Sequence, residues 1–298
     1  MGTSMKYLVL GILIFLSINT SAQSVTIPSG KVVTVEELRQ RVANGSDGDE
    51  AGWLCVMYVS GIDYQKNSFP QNYSEALHYC QVDSEKGKNA TVQAIYAEMF
   101  ENGQGTTIDN DKAFQWFMKS AQGGSRRGLA GVGRAYYYGK SVKVDLTRAF
   151  EYLVPAALQG DPGAQLLLGG QRAKIVSKLP GHTQDIPCAK YWLERSARQG
   201  KIQAMQELGE LLAKAEPTDY EQAYFWLARA RSSKYGFVGE PKLFQAILDE
   251  VAPRLPPDVR RKIEIDALTK DVQIEPLDIA STEQAQRCAK ILSDSAKQ

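Results

Sequence analysis

The sequence predicts an all-α chain, a right-handed α-solenoid of about five helical hairpins closed by capping helices at both ends. Three observations carry that expectation. A helix-sized block recurs five times at a period of roughly 36 residues. Every copy opens on Asp or Asn, and four of the five close on Gly, the residues that favour the two ends of a helix. Inside each copy a small residue and an aromatic stand three apart, which puts them on one helical face.

The first residues set the compartment. Lys6 precedes the apolar run Tyr7–Ile18, and small residues stand at Thr20 and Ala22. A basic start, a short apolar stretch and small residues before a cut make residues 1–22 a secretory signal peptide. The run is shorter than the roughly 18 residues a spanning helix needs, so no membrane insertion is expected after cleavage. Removal takes away Lys6 and no acid, and the formal charge falls from +1 to 0. A neutral surface argues against nucleic-acid and anionic-membrane binding, both of which need excess Lys and Arg.

Residues 23–47 read as an N-terminal capping half-repeat. Within them Thr34-x-x-Glu37 forms a capping box that opens a helix ending near Asn44-Gly45. Residues 48–233 hold the repeats. The clearest copies of the second helix are Asp109–Gly124, Asp145–Gly160, Asp185–Gly200 and Asn72–Gly87, with a fifth starting at Asp219. Their alanines are Ala76, Ala113, Ala149, Ala189 and Ala223, and the aromatics three residues on are Tyr79, Trp116, Tyr152, Trp192 and Trp226. A shorter helix of the form small-x₃-Leu-Gly-x₂-Tyr is expected before each block, as in Gly128–Tyr136, Ala164–Gly169 and Ala204–Gly209. Glycine inside a helix costs about 1 kcal/mol against alanine, and close approach of the two helices of a hairpin explains its recurrence. Residues 234–298 read as a C-terminal helical cap. Pro241–Leu255 and Pro257–Thr269 are expected helices with proline at their starts; Asp271–Ala280 is an extended linker, and a last helix starts at Ser281 and runs through Ala296.

These residues resemble the Sel1-like repeat family, relatives of the tetratricopeptide repeats. The resemblance covers about residues 48–233 and rests on five tandem copies. Two departures stand out: Cys55 replaces the helix glycine in the first copy, and the fourth has a longer loop (Lys178–Asp185) and Arg172 in place of an aromatic.

Four cysteines in an exported chain fit two disulfides, with three pairings available. Cys55 takes the close-contact position of its helix, and Cys80, four residues after Ala76, lies on the facing side of the partner helix. Cys55–Cys80 is therefore favoured. Cys188–Cys288 follows by elimination and would staple the last helix to the fourth repeat. Four buried thiols are the alternative, since free Cys packs as a small hydrophobe.

Catalytic chemistry is hard to find. His78 lies on a helix beside Tyr79, expected on the solvated face, and His182 lies in the long loop; neither has a second ligand at metal-binding spacing. No nucleophile elbow or phosphate-binding glycine loop is present. Asn102-Gly103-Gln104-Gly105 falls at a hairpin turn, where glycine supplies positive φ. His78 and Cys80 face different directions on their helix. No cofactor, metal or catalytic residue is expected.

In stacked helical hairpins the first helix of each unit lines the concave side, and its outward positions are free to carry specificity. The repeat register places Val56 and Val59 there in the first copy, Glu98 and Glu101 in the second, and Arg127, Arg134, Tyr137 and Tyr138 in the third. Leu166 and Lys174 follow in the fourth, and Met205 and Glu210 in the fifth. Tyr and Arg are enriched at binding hot spots, which singles out the third copy. The expected function is a non-enzymatic, periplasmic protein-binding scaffold whose partner is an effector or an envelope component. The resemblance implies a sharper version, an immunity protein that neutralises a type VI secretion phospholipase-type effector. It also implies an alternative adaptor role in envelope assembly or polysaccharide export. A more distant alternative is a secreted β-lactam-binding or β-lactamase-like protein, although such relatives carry a regular cysteine pair in each repeat and this chain does not.

Overall fold

The computed structural model describes residues 23–46, 49–87, 89–178, 186–215, 217–232, 241–270 and 283–288, with backbone alone for 171–178 and 241–244. The expected signal peptide, the His182 loop, the 271–280 linker, Ser281 and the far end of the last helix lie outside them. So do the side chains of Arg172 and Lys174. The chain divides into two compact units, Met1–Lys119 and Ser120–Gln298.

In the first unit, strands β1 (Ser24–Thr26) and β2 (Val32–Thr34) pair antiparallel with Val25 opposite Val33. This short hairpin precedes the expected helix of the capping half-repeat and leaves the fold all-α in class. β-branched runs flank Pro28-Ser29-Gly30, where Gly30 turns at φ +80°, and they bury Val25, Ile27 and Val33. Asp63 ties β1 to the following loop. Its carboxylate accepts the N–H groups of Thr26, Gln65 and Asn67 and the Asn67 side-chain amide. Burial works against its charge, but these donors outweigh it and hold the carboxyl below the usual carboxylate range.

Helix α1 (Val35–Ala43) starts as the capping box requires. Thr34 Oγ1 accepts the Glu37 N–H at 3.1 Å, and the Glu37 carboxylate accepts the Thr34 N–H at 2.8 Å. Two hairpins follow, α2 (Glu50–Ser60) with α3 (Tyr73–Lys86), and α4 (Ala90–Asn102) with α5 (Asn110–Gln122). In the second unit, α6 (Arg126–Tyr138) pairs with α7 (Leu146–Leu158), α8 (Pro162–Lys178) with α9 (Ile186–Arg198), and α10 (Ile202–Lys214) with α11 (Tyr220–Ser232). We call the first helix of each hairpin A and the second B. Only in the first hairpin is the A helix the shorter one, α2 with 11 residues against 14 in α3; α4, α6 and α10 have 13 residues, as α5, α7 and α11 do. They continue past the consensus aromatic, in α4 and α6 until a left-handed glycine, Gly103 or Gly139, stops them.

Four B helices begin on the expected caps, and the fifth expected cap, Asp185, lies outside the described residues. Asn72, Asp109, Asp145 and Asp219 each accept a first-turn N–H through a side-chain oxygen. The recurring A-helix glycine is required by packing. A Cβ at Gly133 would stand 2.6 Å from Leu153 Cγ, at Gly209 2.6 Å from Leu227 Cγ, and at Gly169 2.9 Å from the backbone nitrogen of Leu193. A side chain can yield, but the α9 backbone cannot yield cheaply. Gly169→Ala is therefore expected to destabilise the chain by about 1–3 kcal/mol even though alanine is the better helix former. A lowered urea midpoint checks this; a raised one would remove close approach as the reason for the glycine.

Position four after the B-helix alanine supplies the opposing leucine in repeats three, four and five. Repeat one carries Cys55 and Cys80 at these two places, bonded, with Cα atoms 4.9 Å apart. A second internal rule is visible in cations laid over A-helix aromatics. Lys112 of α5 lies 5.4 Å from the Phe100 ring, and Arg148 of α7 lies 5.6 Å from Tyr136. The equivalent residue of α3 is an acid, Glu75. Arg39 of α1 makes up the difference, 5.9 Å over Tyr58 and hydrogen-bonded to its hydroxyl at 2.8 Å, while pairing Glu75 at 3.0 Å. The cap thus supplies a charge that repeat one lacks.

At the other end, α12 (Pro241–Val251), a 3-10 turn (Ala252–Arg254) and α13 (Pro257–Thr269) follow α11. Ile247, Leu248, Val251 and Leu255 join the core of repeats four and five, which covers the face a further repeat would occupy. Glu264 holds α13 to α11. It accepts the Tyr224 hydroxyl at 2.7 Å and Arg231 at 3.2 Å. The Tyr224 bond, reinforced by Arg231 against partial burial, keeps its carboxyl below the usual range. The contact is complete above the ordinary carboxylate pKa and is lost as pH falls through the lowered value. The urea midpoint of Glu264→Gln is expected to be lower than wild type at neutral pH and to fall less on acidification.

Residues 283–288 are helical. Cys288 is bonded to Cys188 of α9, Cα atoms 5.3 Å apart, and Ala285 and Cys288 are buried with Trp192, Ala164 and Leu153.

Candidate functional site

The A helices of the second unit carry the site. One row of positions, directly after the hairpin glycine or its equivalent, recurs as Val56, Glu98, Arg134, Gly170 and Glu210, of which Gly170 is buried. Val56, Glu98, Arg134 and Glu210 are half-buried, as are Val59, Glu101 and Tyr137; Arg127 is exposed. Tyr138 is 55% exposed. Glu210 is bound to its own helix through Lys214 at 2.7 Å.

Met205 and Leu166 belong to the packing instead, and Tyr137 packs in part against the core of repeats three and four. Met205 is 5% exposed and lies in the core of repeats four and five, and Leu166 packs against the same core. Met205 stands four residues before the hairpin glycine, and its equivalents Ala51, Gln93 and Gln165 are buried too. An A helix is covered on two sides, by its own B helix and by the A helices beside it, and this position lies in a covered strip.

The structure gathers Tyr137 and Tyr138 edge to face, with centroids 4.9 Å apart and planes at 78°. A residue absent from the expected set joins them. Glu207 of α10 lies against Gly170 of α8, where any Cβ would collide with its carboxylate. Gln203 donates to it at 2.8 Å. Burial, and after it the Glu207 charge, pushes the phenol of Tyr138 up, and Tyr137 rises through burial with both Tyr138 and Glu207 contributing. The two phenols of α6 thus feel the charge of an acid on α10, with Arg134 opposing it at Tyr138. The sequence signal for that acid was the doubled glycine Gly169-Gly170, of which hairpin packing accounts for the first only.

The remaining candidates for chemistry have other roles. Cys80 is bonded and fully buried, so it is no nucleophile. His78 is exposed and lies edge-on to Tyr79. Gly103 and Gly105 adopt positive φ in the turn of repeat two. Among the described residues no group of three His, Cys, Asp or Glu is placed to hold a metal, and no helix is long and apolar enough to cross a membrane.

The Sel1 repeat profile matches residues 53–81, 90–125, 127–161, 162–201 and 202–235, together more than half of the chain. The chain belongs to the Sel1 repeat family. Sel1 repeats mediate protein–protein contacts, and their solenoid fold is typically a non-catalytic interaction scaffold. This Sel1 chain is 29% identical over 170 residues to an exopolysaccharide production negative regulator of Rhizobium leguminosarum bv. viciae, covering 52% of this chain and 61% of the regulator. A Sel1 repeat protein from Oxalobacter formigenes superposes with a TM-score of 0.53 at 24% identity, covering 73% of this chain and 59% of that one. A protective antigen of uropathogenic Escherichia coli strains with an SLR fold gives 0.53 at 17% identity, covering 89% and 58%. The two structural likenesses are likenesses of fold, and this chain spans less than two thirds of each of the three relatives.

Proposed function

We propose that this Sel1 repeat chain is exported to the periplasm and acts there, without catalysing a reaction, by binding another protein on the outward side of its A helices. The observation that carries the reading is the patch of Arg134, Tyr137, Tyr138 and Glu207 on tandem interaction repeats. Aromatic and arginine side chains are the residues on which binding energy concentrates, and Tyr138, the most open of the four, is 55% exposed. Two disulfides and an apolar, signal-like N-terminus fit an oxidising compartment.

Two finer readings divide the partner. As an immunity protein, the chain would seat a type VI secretion phospholipase-type effector on a rigid surface and block it, as the family resemblance implies. As an envelope adaptor, it would bind components of polysaccharide production, a reading supported by the likeness to the exopolysaccharide regulator. Affinity capture of the tagged protein from the periplasm of its own host, with mass spectrometry, separates them. A single stoichiometric lipase-like toxin, inactive in the complex, is the result expected for immunity. A set of envelope proteins favours the adaptor. Full-length chain retained in the cytoplasm would contradict export under either reading.

A further inference from the structure

The pair Cys188–Cys288 differs from Cys55–Cys80 in what it holds. Cys188 directly precedes Ala189, the place where repeats two and three carry Lys112 and Arg148. Those two side chains are 60% and 61% exposed, whereas Cys188 is 5% exposed. Repeat four lacks both members of the cation and ring pair. A cysteine replaces the cation, and Arg172 stands at the ring's place in the sequence. The helical segment 283–288 is bonded there instead, with Ala285 and Cys288 buried in one cluster with Trp192. Trp192 is fully buried, while Trp116, the same residue type at the same place of repeat two, is only half-buried. Among the described residues its indole Nε1–H has no hydrogen-bond partner. A buried donor left unpaired is a standing cost of the covered state, and water meets it only when the segment lifts.

The two bonds also differ in what must move before a thiolate can reach them. Cys55 and Cys80 lie on α2 and α3, and they come within reach only when a hairpin that buries Leu54, Met57 and Tyr58 parts. Cys288 lies in a segment whose described residues bury only Ala285 and Cys288. Local detachment of so small a buried surface leaves the hairpins folded.

We propose that Cys188–Cys288 is a redox-operated latch: oxidised, it keeps Trp192 covered, and reduction by a protein dithiol of the Cys-x-x-Cys exchange class uncovers it. One thiolate of the dithiol attacks a sulfur of the bond, forms a mixed disulfide and releases the other cysteine as a thiolate. The second thiol of the dithiol then displaces the remaining cysteine and closes the dithiol into its own disulfide. Two electrons and two protons pass to Cys188 and Cys288, and no other bond changes. Cys55–Cys80 stays closed, so the repeats keep their fold while repeat four gains an open aromatic face. The latch is independent of the protein-binding reading above.

The full oxidised chain, equilibrated with graded ratios of reduced to oxidised dithiothreitol and then alkylated without denaturant, tests it. Mass spectrometry reads each cysteine peptide, and helical circular dichroism and tryptophan emission are followed on the same samples. Cys188 and Cys288 are expected to become alkylated at a ratio at least about tenfold lower than Cys55 and Cys80, with helicity retained. Emission should move to longer wavelength over the same range, and Trp192→Phe should remove most of that shift. Cys188→Ala with Cys288→Ala should show the shifted emission with no dithiol present, a readout that does not depend on how Trp192→Phe folds. Opening of both pairs at one ratio with loss of helicity would overturn the latch, as would earlier opening of Cys55–Cys80. Reduced Cys188 and Cys288 that resist alkylation until denaturant is added, with emission unchanged, would also overturn it, because the segment would then stay down without its bond.

Discussion

Replacing Cys55 and Cys80 with serine is expected to destabilise the first unit by about 3–4 kcal/mol. That is the chain-entropy value for a bond closing a 25-residue separation. Both sulfurs are fully buried, so serine also leaves hydroxyls without water, which adds to the loss. The more telling variant is Cys55→Gly with Cys80→Leu. It installs in repeat one the glycine–leucine contact that Gly133 with Leu153, Gly169 with Leu193 and Gly209 with Leu227 make elsewhere. That variant lacks the cross-link but regains the packing, and it is expected to exceed the serine pair by about 1–2 kcal/mol. Urea denaturation followed by helical circular dichroism, with and without a reductant, reads both numbers. Reductant also opens Cys188–Cys288 in all three proteins, so wild type alone should lose the further increment that belongs to Cys55–Cys80. If the Gly/Leu variant were no more stable than the serine pair, the disulfide would not be standing in for a repeat contact.

The second large effect concerns binding. Under the proposed reading, Arg134→Glu combined with Tyr138→Ala should weaken the complex with the captured partner by more than tenfold. Truncation of a central aromatic or arginine anchor costs about 2 kcal/mol or more where it is a hot spot. The melting midpoint of the Tyr138→Ala single variant should stay within a few degrees, because Tyr138 is 55% exposed, and the affinity of each variant is read on its folded fraction. Met205→Ala gives the opposite pattern. It should destabilise the fold by about 2–5 kcal/mol as a core cavity and leave affinity unchanged in whatever fraction remains folded.

The parts of this molecule legible in its sequence are those written in local chemistry. An Asp or Asn cap, an aromatic at i+3 and a closing glycine act within one or two turns, so their recurrence gave the hairpins and placed Cys55 opposite Cys80. Longer-range features were harder to see. The β1–β2 hairpin rests on two three-residue strands, too short to show a period, although their β-branched residues and the Pro-Ser-Gly turn were present. Met205 was misplaced because a helix flanked on both sides keeps a narrower outward strip than a hairpin viewed alone suggests. Glu207 was missed because its partners lie on two other repeats, and only a second glycine without a packing purpose pointed to it. Arg39 belongs with these. Its pairing with Tyr58 and Glu75 makes sense only once α1 is seen covering the first repeat with a charge that Lys112 and Arg148 supply from within later ones.

In the proposed function the outward side of the A helices receives a protein. Amide hydrogen exchange of this chain, alone and saturated with the captured partner, tests it most directly. Slowed exchange is expected to concentrate in α6, α8 and α10, with the B helices α7, α9 and α11 unchanged. Slowing confined to the β1–β2 hairpin or to α12 and α13, with α6 and α10 unaltered, would contradict it.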